Sequence, residues 1–506
     1  MQNKSKLLTL KRFTRTRWFD ALFGLLLFWP LLFLNIRSDH DWGGDFAQYL
    51  VQANNIAHCK PMAETNYVYN EAYPSLGPAA YPPGFPLIIA PIVARTGYSM
   101  QALNYLMSFI LLSTSIVAIL LLRRLISLPA ALAAAMIFFY NPNLIAFKSE
   151  IMADIPFSLL VLLFLFIASH ASKKHLIYWI LAGAIGGFAA TVKTAGISIG
   201  VALAVYLVMG VIVGFIREKS LPVALKQGFY PGWGVLSFVL VFFLISVLFS
   251  TKGTQETSTY INIFSLSNLE TVVSTNIFNF SETIRTHFII NPYPHGWYGL
   301  LLGSAILVFS ITGFIMAFIK GPGIIESFVF VYVLLILVYP YHHSGIRFLL
   351  PIAPVMLMYS AKVVASFKPA NVFKWMVIAG AIVMFIIYLP PIVDSHKSRR
   401  TIIEGPYKPE VQTAFNMVQS LTGPEDLIVF LKPRVLAWAI ERRCISHHPA
   451  AQADEMHKVF HDKGATHFLV YTGLHDPALH VYLSEYKDNF DCIMATDAFT
   501  LYRKKI

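Results

Sequence analysis

The sequence predicts a polytopic α-helical membrane protein with a small α/β domain at its C-terminal end. Of its 506 residues, 56% are hydrophobic and 13% are charged, whereas soluble proteins carry roughly 25% charged residues. Many apolar stretches are long enough for a membrane-spanning helix. Near residue 396 they give way to short segments with alternating strand and helix patterns. We therefore predict a transmembrane domain over residues 1–395 and a second domain over residues 396–506.

A spanning helix needs about 20 mostly apolar residues. By this criterion, about 11 transmembrane helices are predicted, at residues 18–36, 101–122, 129–147, 152–171, 176–192, 194–216, 233–250, 298–319, 324–341, 346–366 and 374–393. The apolar segment at 83–94 is shorter and contains three prolines, so we expect it to lie at the membrane interface or to dip into the membrane. Gly183 and Gly187 form a GxxxG spacing, which indicates close helix packing.

The basic residues predict the orientation of the chain. The N-terminal segment is rich in lysine and arginine, and the pairs Arg123/Arg124 and Lys173/Lys174 fall in alternate loops. Because cytoplasmic loops carry an excess of basic residues, we expect a cytoplasmic N-terminus and an extracytoplasmic C-terminus. These loops and anionic lipid headgroups account for the net charge of +12, so nucleic acid is not an expected partner. We expect a multi-pass protein of a bacterial inner (plasma) membrane.

The C-terminal segment alternates between strand-like and helical patterns. Strands are predicted within DLIVFLKP, HFLVYTGL and FDCIMATDAFTLYRK, and helices at 408–421, 433–441, 450–463 and 477–487. Strands that alternate with helices indicate a small α/β domain. No glycine-rich phosphate loop opens any of these helices, so the sequence indicates no nucleotide site. The three cysteines are too far apart in sequence for a disulfide framework or a zinc site.

A first acidic motif follows the first predicted span. Asp45 lies in DHDWGGDFAQYLVQANNIA, near the start of a predicted helix on the extracytoplasmic side. Carboxylates at the mouth of a membrane bundle are costly and point to a function, and Gly43 and Gly44 allow close backbone approach. The alternative is that Asp45 only caps the helix. In the same segment, Asp39 and Asp41 form a formal DxD, which either binds a divalent cation or consists of solvated loop acids.

A second acidic motif lies between two later spans. In KSEIMADIPFSLL, Glu150 and Asp154 are four residues apart, so they would share one face of a helix. Capping is an alternative for Asp154, because a proline in the first turn after an aspartate is a common helix start. Glu150 has no such explanation. The predicted topology puts both motifs on the same side of the membrane, where they can line one cavity.

Cations occur singly on the predicted outer face. Arg347 precedes the apolar run FLLPIAPVMLMY and can bind a phosphate with its guanidinium fork. The alternative is that it reaches to the lipid headgroups. Lys193 lies between two apolar runs, where it binds a phosphate or marks the tip of a hairpin. Lys148, His342 and His343 are weaker candidates.

These residues suit one class of substrate, a sugar activated as a lipid-linked phosphate. The lipid brings the activated sugar to a face of the membrane that has no nucleotides. A carboxylate takes the proton of the acceptor hydroxyl, and cations stabilise the departing phosphate. In this hypothesis Asp45 is the base, Arg347 and Lys193 bind the phosphate, and Glu150 and Asp154 support the sugar and acceptor site.

Four segments, in order along the chain, also carry a family resemblance: GGDFAQYLVQANNIA, YPPGFPLIIAPI, SEIMADIPFSLL and GIRFLLPIAPVMLMY. They resemble the GT-C superfamily of membrane glycosyltransferases, and more narrowly the dolichyl-phosphate-mannose protein mannosyltransferase and aminoarabinose transferase group. The resemblance implies a polyprenyl-phosphate sugar donor and an inverting transfer outside the cytoplasm. By position it assigns Asp45 to the catalytic aspartate, Glu150 and Asp154 to the second acidic motif, Arg347 to the arginine before the late span, and Tyr81 to the segment that faces the donor phosphate.

The expected function is thus transfer of a hexosyl or pentosyl group to a hydroxyl of a lipid, glycan or protein acceptor. The alternative is a transporter or flippase for lipid-linked sugars that has no transferase activity. It would need acids accessible from both sides of the membrane and pseudo-symmetric halves, neither of which the sequence indicates. No cofactor is predicted, apart from the divalent cation that a DxD would bind.

Overall fold

The computed structural model describes residues 18–171, 175–249, 268–290, 296–340, 345–367 and 370–505. The chain divides into two compact units, and each is described by itself. Among the described residues, the first unit comprises 18–36, 103–248 and 268–399, and the second comprises 37–102, 249 and 400–505. Residues 37–102, which precede most of the predicted spans, therefore fold in the same unit as the C-terminal segment. The predicted domain boundary near residue 395 stays a prediction.

Helices dominate the described chain. In chain order they are α1 (Trp18–Leu32), α2 (Gly44–Ala57), α3 (Gly84–Thr96), α4 (Met100–Leu122), α5 (Leu128–Phe139), α6 (Pro142–Phe147), α7 (Asp154–Ala168), α8 (Leu176–Val192), α9 (Ile197–Glu218), α10 (Leu221–Leu248), α11 (Leu269–Thr286), α12 (Trp297–Ile319), α13 (Ile324–Val338), α14 (Ala353–Ser366), α15 (Ala370–Ser398), α16 (Pro409–Leu421), α17 (Pro433–Ile440), α18 (Ala453–Lys463) and α19 (Pro477–Glu485). The strands are β1 (Leu427–Val429), β2 (Arg443–Ile445), β3 (His467–Tyr471), β4 (Phe490–Ala495) and β5 (Phe499–Lys504).

Several helices of the described chain can cross a membrane. Five are long and apolar enough, namely Met100–Leu122, Thr194–Arg217, Gly228–Leu248, Trp297–Ile319 and Trp375–Ser398. A bent pair of helices, Leu128–Phe139 and Pro142–Glu150, adds a sixth span if it crosses as one. Shorter apolar helices cover the remaining predicted spans. The protein is thus a helical membrane protein, and the figure of 11 spans stays a prediction.

The bend between α5 and α6, which amounts to 60°, has a local cause. Pro142 is the first residue of α6 and cannot continue the hydrogen-bond ladder of α5. The side chain of Asn141 caps α6 by accepting a hydrogen bond from the amide of Asn143 at 2.9 Å. The Asn141 side-chain amide also donates to the carbonyl of His287 at 3.0 Å. The break is therefore encoded in the Asn-Pro pair and tied to the start of the loop after α11.

Close packing of α8 against α10 confirms the prediction from the GxxxG spacing. A Cβ atom on Gly183 would lie 2.1 Å from the carbonyl oxygen of Gly234, and one on Gly187 would lie 2.5 Å from that of Phe238. Neither distance leaves room for a methyl group. The two glycines thus allow the backbones of the two helices to touch.

The second unit combines α2 and α3 with a mixed five-stranded sheet of order β2-β1-β3-β5-β4. Strand β1 pairs in parallel with β2 and β3, whereas β5 pairs antiparallel with β3 and β4. The strands β1, β3, β4 and β5 lie within the three predicted strand segments. Strand β2 was not predicted, because its three residues sit in the charged run ERRCISHH. Helices α16 to α19 overlap the four predicted helices.

The segment between α2 and α3 joins this sheet directly. Residue Val68 donates its amide hydrogen to the carbonyl of Cys444 at 2.8 Å, and the Cys444 amide donates to the carbonyl of Asn66 at 2.9 Å. The chain around Tyr67 therefore pairs in parallel with the outer strand β2, beside Cys444. The pairing covers an exposed sheet edge and fixes the loop after α2 on the C-terminal sheet.

We predict that Gly183→Ala lowers the free energy of unfolding by about 2 kcal/mol, as overpacking in a full interior does. The added methyl group would force α8 away from α10. Thermal unfolding of the detergent-solubilised protein, followed by tryptophan fluorescence, measures the effect. The matched control is Gly210→Ala in α9, where no atom lies within 4 Å of the new methyl group. Equal melting temperatures for the two variants would contradict the packing argument.

Candidate active site

The carboxylate of Asp45 does not cap its helix. Helix α2 is preceded by Gly43 as its N-cap residue, and Asp45 is the second residue of the first turn. The capping alternative is therefore wrong. The carboxylate is about one-fifth exposed and is bound by side chains from two distant segments of the second unit.

Tyr81 and Arg434 hold this carboxylate. The Tyr81 hydroxyl donates to Oδ1 of Asp45 at 2.7 Å, and Nη1 of Arg434 donates to the same oxygen at 3.0 Å. Nη1 also donates to the Tyr81 hydroxyl oxygen at 2.8 Å. The three groups form a closed triangle in which each contacts the other two. Tyr81 was predicted to face the donor phosphate, and that role stays a prediction; the structure brings its hydroxyl to Asp45.

The guanidinium of Arg434 is enclosed on several sides. Its Nη2 donates to the carbonyl of Pro78 at 3.0 Å, and its carbon lies 4.9 Å from the ring centre of Tyr67 and 5.1 Å from that of Tyr81. Gly77 has a φ of +108°, and a Cβ there would lie 2.7 Å from Nη2. Burial alone would lower the pKa of Arg434, but Tyr81, Tyr67 and Asp45 raise it above its usual value. The group is a permanent buried cation.

Sequence reasoning missed Arg434. It lies in LKPRVLAW, as the second residue of α17. Pro433 at the start of that helix is enough to predict the helix, so the sequence gives no separate signal for Arg434. The arginine is separated from Asp45 by 389 residues. No spacing rule links two positions so far apart, so only the folded chain reveals the pair.

Helix α2 also positions Tyr81 through its glutamines. The side chain of Gln48 donates to the carbonyl of Ala79 at 2.6 Å. Gln52 donates to the carbonyl of Tyr81 at 2.8 Å and accepts from the Tyr81 amide at 3.0 Å. The ring of Tyr49 stacks on that of Tyr81 with centres 4.6 Å apart. The face of α2 that carries Asp45 therefore fixes the backbone and the ring of Tyr81.

The two carboxylates of the DxD motif have different partners. Asp39 forms a two-point ion pair with Arg37, at 2.7 and 2.9 Å, and accepts from the amide of Ile403 at 2.8 Å. Asp41 accepts from the amide of Gly43 at 2.7 Å. Burial would raise the pKa of Asp41, but the hydrogen bond and charge of His40 and the Gly43 amide hold it below its usual value. Asp39 thus ties the segment between α1 and α2 to Ile403, so it serves the fold.

The first unit contains a second cluster, centred on Asp154. This carboxylate is 1% exposed and is the first residue of α7, with Ala153 as the N-cap residue, so it does not cap the helix. Its Oδ1 pairs with the ammonium of Lys193, and its Oδ2 lies 3.4 Å from Nη2 of Arg347. The Lys193 ammonium also lies 4.8 Å from the ring centre of Phe348. Three predicted site residues thus meet at one point, with one negative and two positive charges.

Glu150 does not share a helical face with Asp154. It ends a short 3₁₀ helix, Lys148–Glu150, and Ile151 follows in the left-handed region with a φ of 49°. The expected spacing on one helix is therefore wrong, because the chain turns between the two acids. Glu150 stays a candidate by position alone.

The side chain of Lys148 is hydrogen-bonded within the first unit. Its ammonium donates to the carbonyl of Leu34 at 2.8 Å, to that of Asn35 at 3.2 Å and to the hydroxyl of Ser108 at 2.9 Å. An ammonium has three hydrogens, and three acceptors match them. This arrangement favours a structural role that ties α4 to the chain after α1. His342 and His343 lie outside the described residues.

Residues 80–224 match the model of a family described as dolichyl-phosphate-mannose-protein mannosyltransferase. No curated protein matches the chain in sequence.

Solved structures match over most of the chain. ArnT from Cupriavidus metallidurans bound to undecaprenyl phosphate superposes with a TM-score of 0.58 at 11% identity, covering 95% of this chain and 97% of that one. The archaeal oligosaccharyltransferase AglB from Archaeoglobus fulgidus, in complex with an inhibitory peptide and a dolichol-phosphate, gives a TM-score of 0.55 at 13% identity and covers 90% and 69% of the two chains. At such identities the likeness shows the fold. The chain thus has the fold of GT-C membrane glycosyltransferases, as its sequence motifs predict.

We predict that Asp154→Asn lowers the free energy of unfolding by about 2 kcal/mol, because it leaves the partly buried cations Lys193 and Arg347 without their anion. The double variant Asp154→Asn with Lys193→Met removes one charge of each sign and should recover part of this loss. Thermal unfolding of the wild type, of both single variants and of the double variant, each purified in detergent, gives the comparison. If the double variant were less stable than the sum of the two single changes predicts, the charge-pairing account would be wrong.

Proposed function

We propose that this protein transfers a hexosyl or pentosyl group from a polyprenyl-phosphate donor to an acceptor hydroxyl, with inversion, on the extracytoplasmic face of the membrane. The observation that carries the proposal is the carboxylate of Asp45, which is bound by Tyr81 and Arg434 rather than by its own helix. A carboxylate oriented by fixed donors suits proton abstraction. The GT-C fold and the family match over residues 80–224 support the same class of reaction.

In the proposed step, the acceptor hydroxyl oxygen attacks the anomeric carbon of the sugar. The bond between that carbon and the phosphate oxygen breaks, and the lipid phosphate leaves with the bonding electron pair. The hydroxyl proton passes to the carboxylate of Asp45, and attack opposite the leaving group inverts the configuration. No oxidant or further reactant is needed. The acceptor is a lipid, a glycan or a protein.

The cluster of Asp154, Lys193 and Arg347 is the proposed site for the donor phosphate. Its net charge of one positive unit matches the single negative charge of a sugar phosphodiester. When the sugar departs, the phosphate gains a second negative charge, and the two cations would then stabilise the transition state more than the ground state. The side chain of Arg347 is about one-third exposed. The bound undecaprenyl phosphate in ArnT and dolichol-phosphate in AglB support a lipid phosphate as the ligand class.

The sidedness of the reaction rests on the distribution of basic residues. The positive-inside rule puts the loops that carry Asp45, Glu150 and Asp154 outside the cytoplasm. A donor that arrives through the membrane on a lipid needs no nucleotide at that face. A bacterial inner membrane with a cytoplasmic N-terminus and an extracytoplasmic C-terminus is the setting we propose.

We predict that Asp45→Asn abolishes transfer, because the amide cannot accept the proton of the acceptor hydroxyl. Radiolabelled polyprenyl-phosphate sugars are incubated with membranes that contain the wild type or the variant, and label is followed into lipid, glycan and protein fractions. Glu71→Gln is the control, since Glu71 is an exposed carboxylate of the same unit that pairs with Lys463. Monodisperse elution in detergent shows that each variant is folded. Substantial transfer by folded Asp45→Asn would disprove the role of the carboxylate, and absence of label with the wild type would favour a transporter.

We predict that Arg347→Lys raises the KM for the lipid donor about tenfold, which corresponds to the loss of one good charge-assisted hydrogen bond. The lysine keeps the charge but cannot offer two parallel N–H groups. Initial rates at varied donor concentration give KM and kcat separately. Lys320→Met, a change at the exposed end of α12, should leave both constants unchanged. An unaltered donor KM in Arg347→Lys would remove this arginine from the phosphate site.

A further inference from the structure

We propose that Arg434 is a positioning residue for Asp45, so that the C-terminal segment takes a direct part in the transfer reaction. This inference rests on the proposed function, in which Asp45 is the base. It assigns a role in the reaction to a residue of the second unit.

The carboxylate is fixed by two donors that converge on one of its oxygens. Nη1 of Arg434 and the hydroxyl of Tyr81 both bind Oδ1 of Asp45, at 3.0 and 2.7 Å. Because Nη1 and the hydroxyl also bind each other, the two donors cannot rotate independently. This triangle restricts the torsion of the carboxylate group. A base that must meet a hydroxyl at a defined angle gains from such restriction, since small misplacements are costly in rate.

The guanidinium itself is held by the fold. Helix α17 carries Trp438, whose ring lies 5.7 Å from Phe46 in α2 and 5.8 Å from Tyr98. This aromatic contact sets the distance between α17 and α2. On the opposite side, the Pro78 carbonyl and the Tyr67 ring enclose the guanidinium. Arg434 therefore cannot leave Asp45 without a change in the packing of the unit.

The burial of the charged Arg434 side chain is not explained by a gain in stability. Arg434 is 3% exposed, and a buried cation with its partner is often no more stable than apolar residues of the same volume. Its Nε hydrogen is also buried without a hydrogen-bond partner in the described part of the chain, which carries a desolvation penalty. A residue that served packing only would not need the charge. The cost is explained if the charge orients the carboxylate.

The test compares four variants in the radiolabelled transfer assay. Arg434→Ala removes the guanidinium and leaves a space, Arg434→Met fills that space without charge, and Arg434→Lys restores charge without the fork. Arg442→Ala is the matched control, because within the described chain Arg442 donates to the backbone carbonyls of Thr422, Glu441 and Gln419 and to no carboxylate. Ethylguanidinium is added as a free replacement for the lost group.

We expect Arg434→Ala to lower kcat about 100-fold, the scale of a misplaced catalytic group, with little change in the donor KM. Ethylguanidinium should restore part of kcat in Arg434→Ala, but not in Arg434→Met or Asp45→Asn. Arg434→Lys should lie between the alanine variant and the wild type, and Arg442→Ala should keep the wild-type kcat. Partial rescue by a small molecule is not expected of a residue whose role is only structural.

Two outcomes would overturn the inference. A wild-type kcat in Arg434→Ala would show that Asp45 needs no positioning by this residue, while inactivity of Asp45→Asn would leave the proposed function intact. Loss of the folded protein in both the alanine and methionine variants would show that the guanidinium is a structural element. Failure of the proposed function looks different, because it requires activity in Asp45→Asn or no transfer by the wild type.

Discussion

The ion pair between Asp45 and Arg434 is the constraint around which the second unit is arranged. It joins helix α2, near the start of the chain, to helix α17 across 389 residues of sequence. A buried charge is tolerated only if an opposite charge and hydrogen bonds compensate it. The two helices, the Tyr81 segment and the Pro78 carbonyl must therefore be in place together. The loop between α2 and α3 reinforces this by pairing with strand β2 through Cys444.

The first unit also holds a buried carboxylate, but with a different balance of charge. There a buried carboxylate, Asp154, is bound by two cations, whereas Asp45 shares one cation with a neutral hydroxyl. Around Asp154 positive charge is in excess, which suits an anionic ligand. Around Asp45 the charges cancel, so this cluster carries no excess positive charge for an anionic ligand. The two clusters thus differ in the chemistry they support, and the difference follows from the number of cations at each carboxylate.

Much of the fold could be predicted because it depends on local patterns. Apolar runs indicated the helices, the glycine pair indicated close packing of α8 without naming its partner, and short apolar segments indicated most strands. Of the site, Asp154, Lys193 and Arg347 were each predicted, since a charged residue beside an apolar run is conspicuous. Arg434 was not predicted, because a buried arginine and a surface arginine look the same in sequence. Glu150 was expected to share a helical face with Asp154. The left-handed residue Ile151 breaks the helix between them, and no residue pattern in the sequence indicates that break.

The residues that escaped prediction are those whose environment is made by distant segments. The Tyr67 and Tyr81 rings and the Pro78 carbonyl enclose Arg434, and all three belong to the segment between α2 and α3. Gly77 is needed there because its positive φ and missing side chain leave room for Nη2. An arginine that served the C-terminal sheet alone would not require the segment between α2 and α3 to leave space for its guanidinium. The complementary shape of that loop, together with its hydrogen bond to the same carboxylate, argues that the two segments form one functional unit around Asp45.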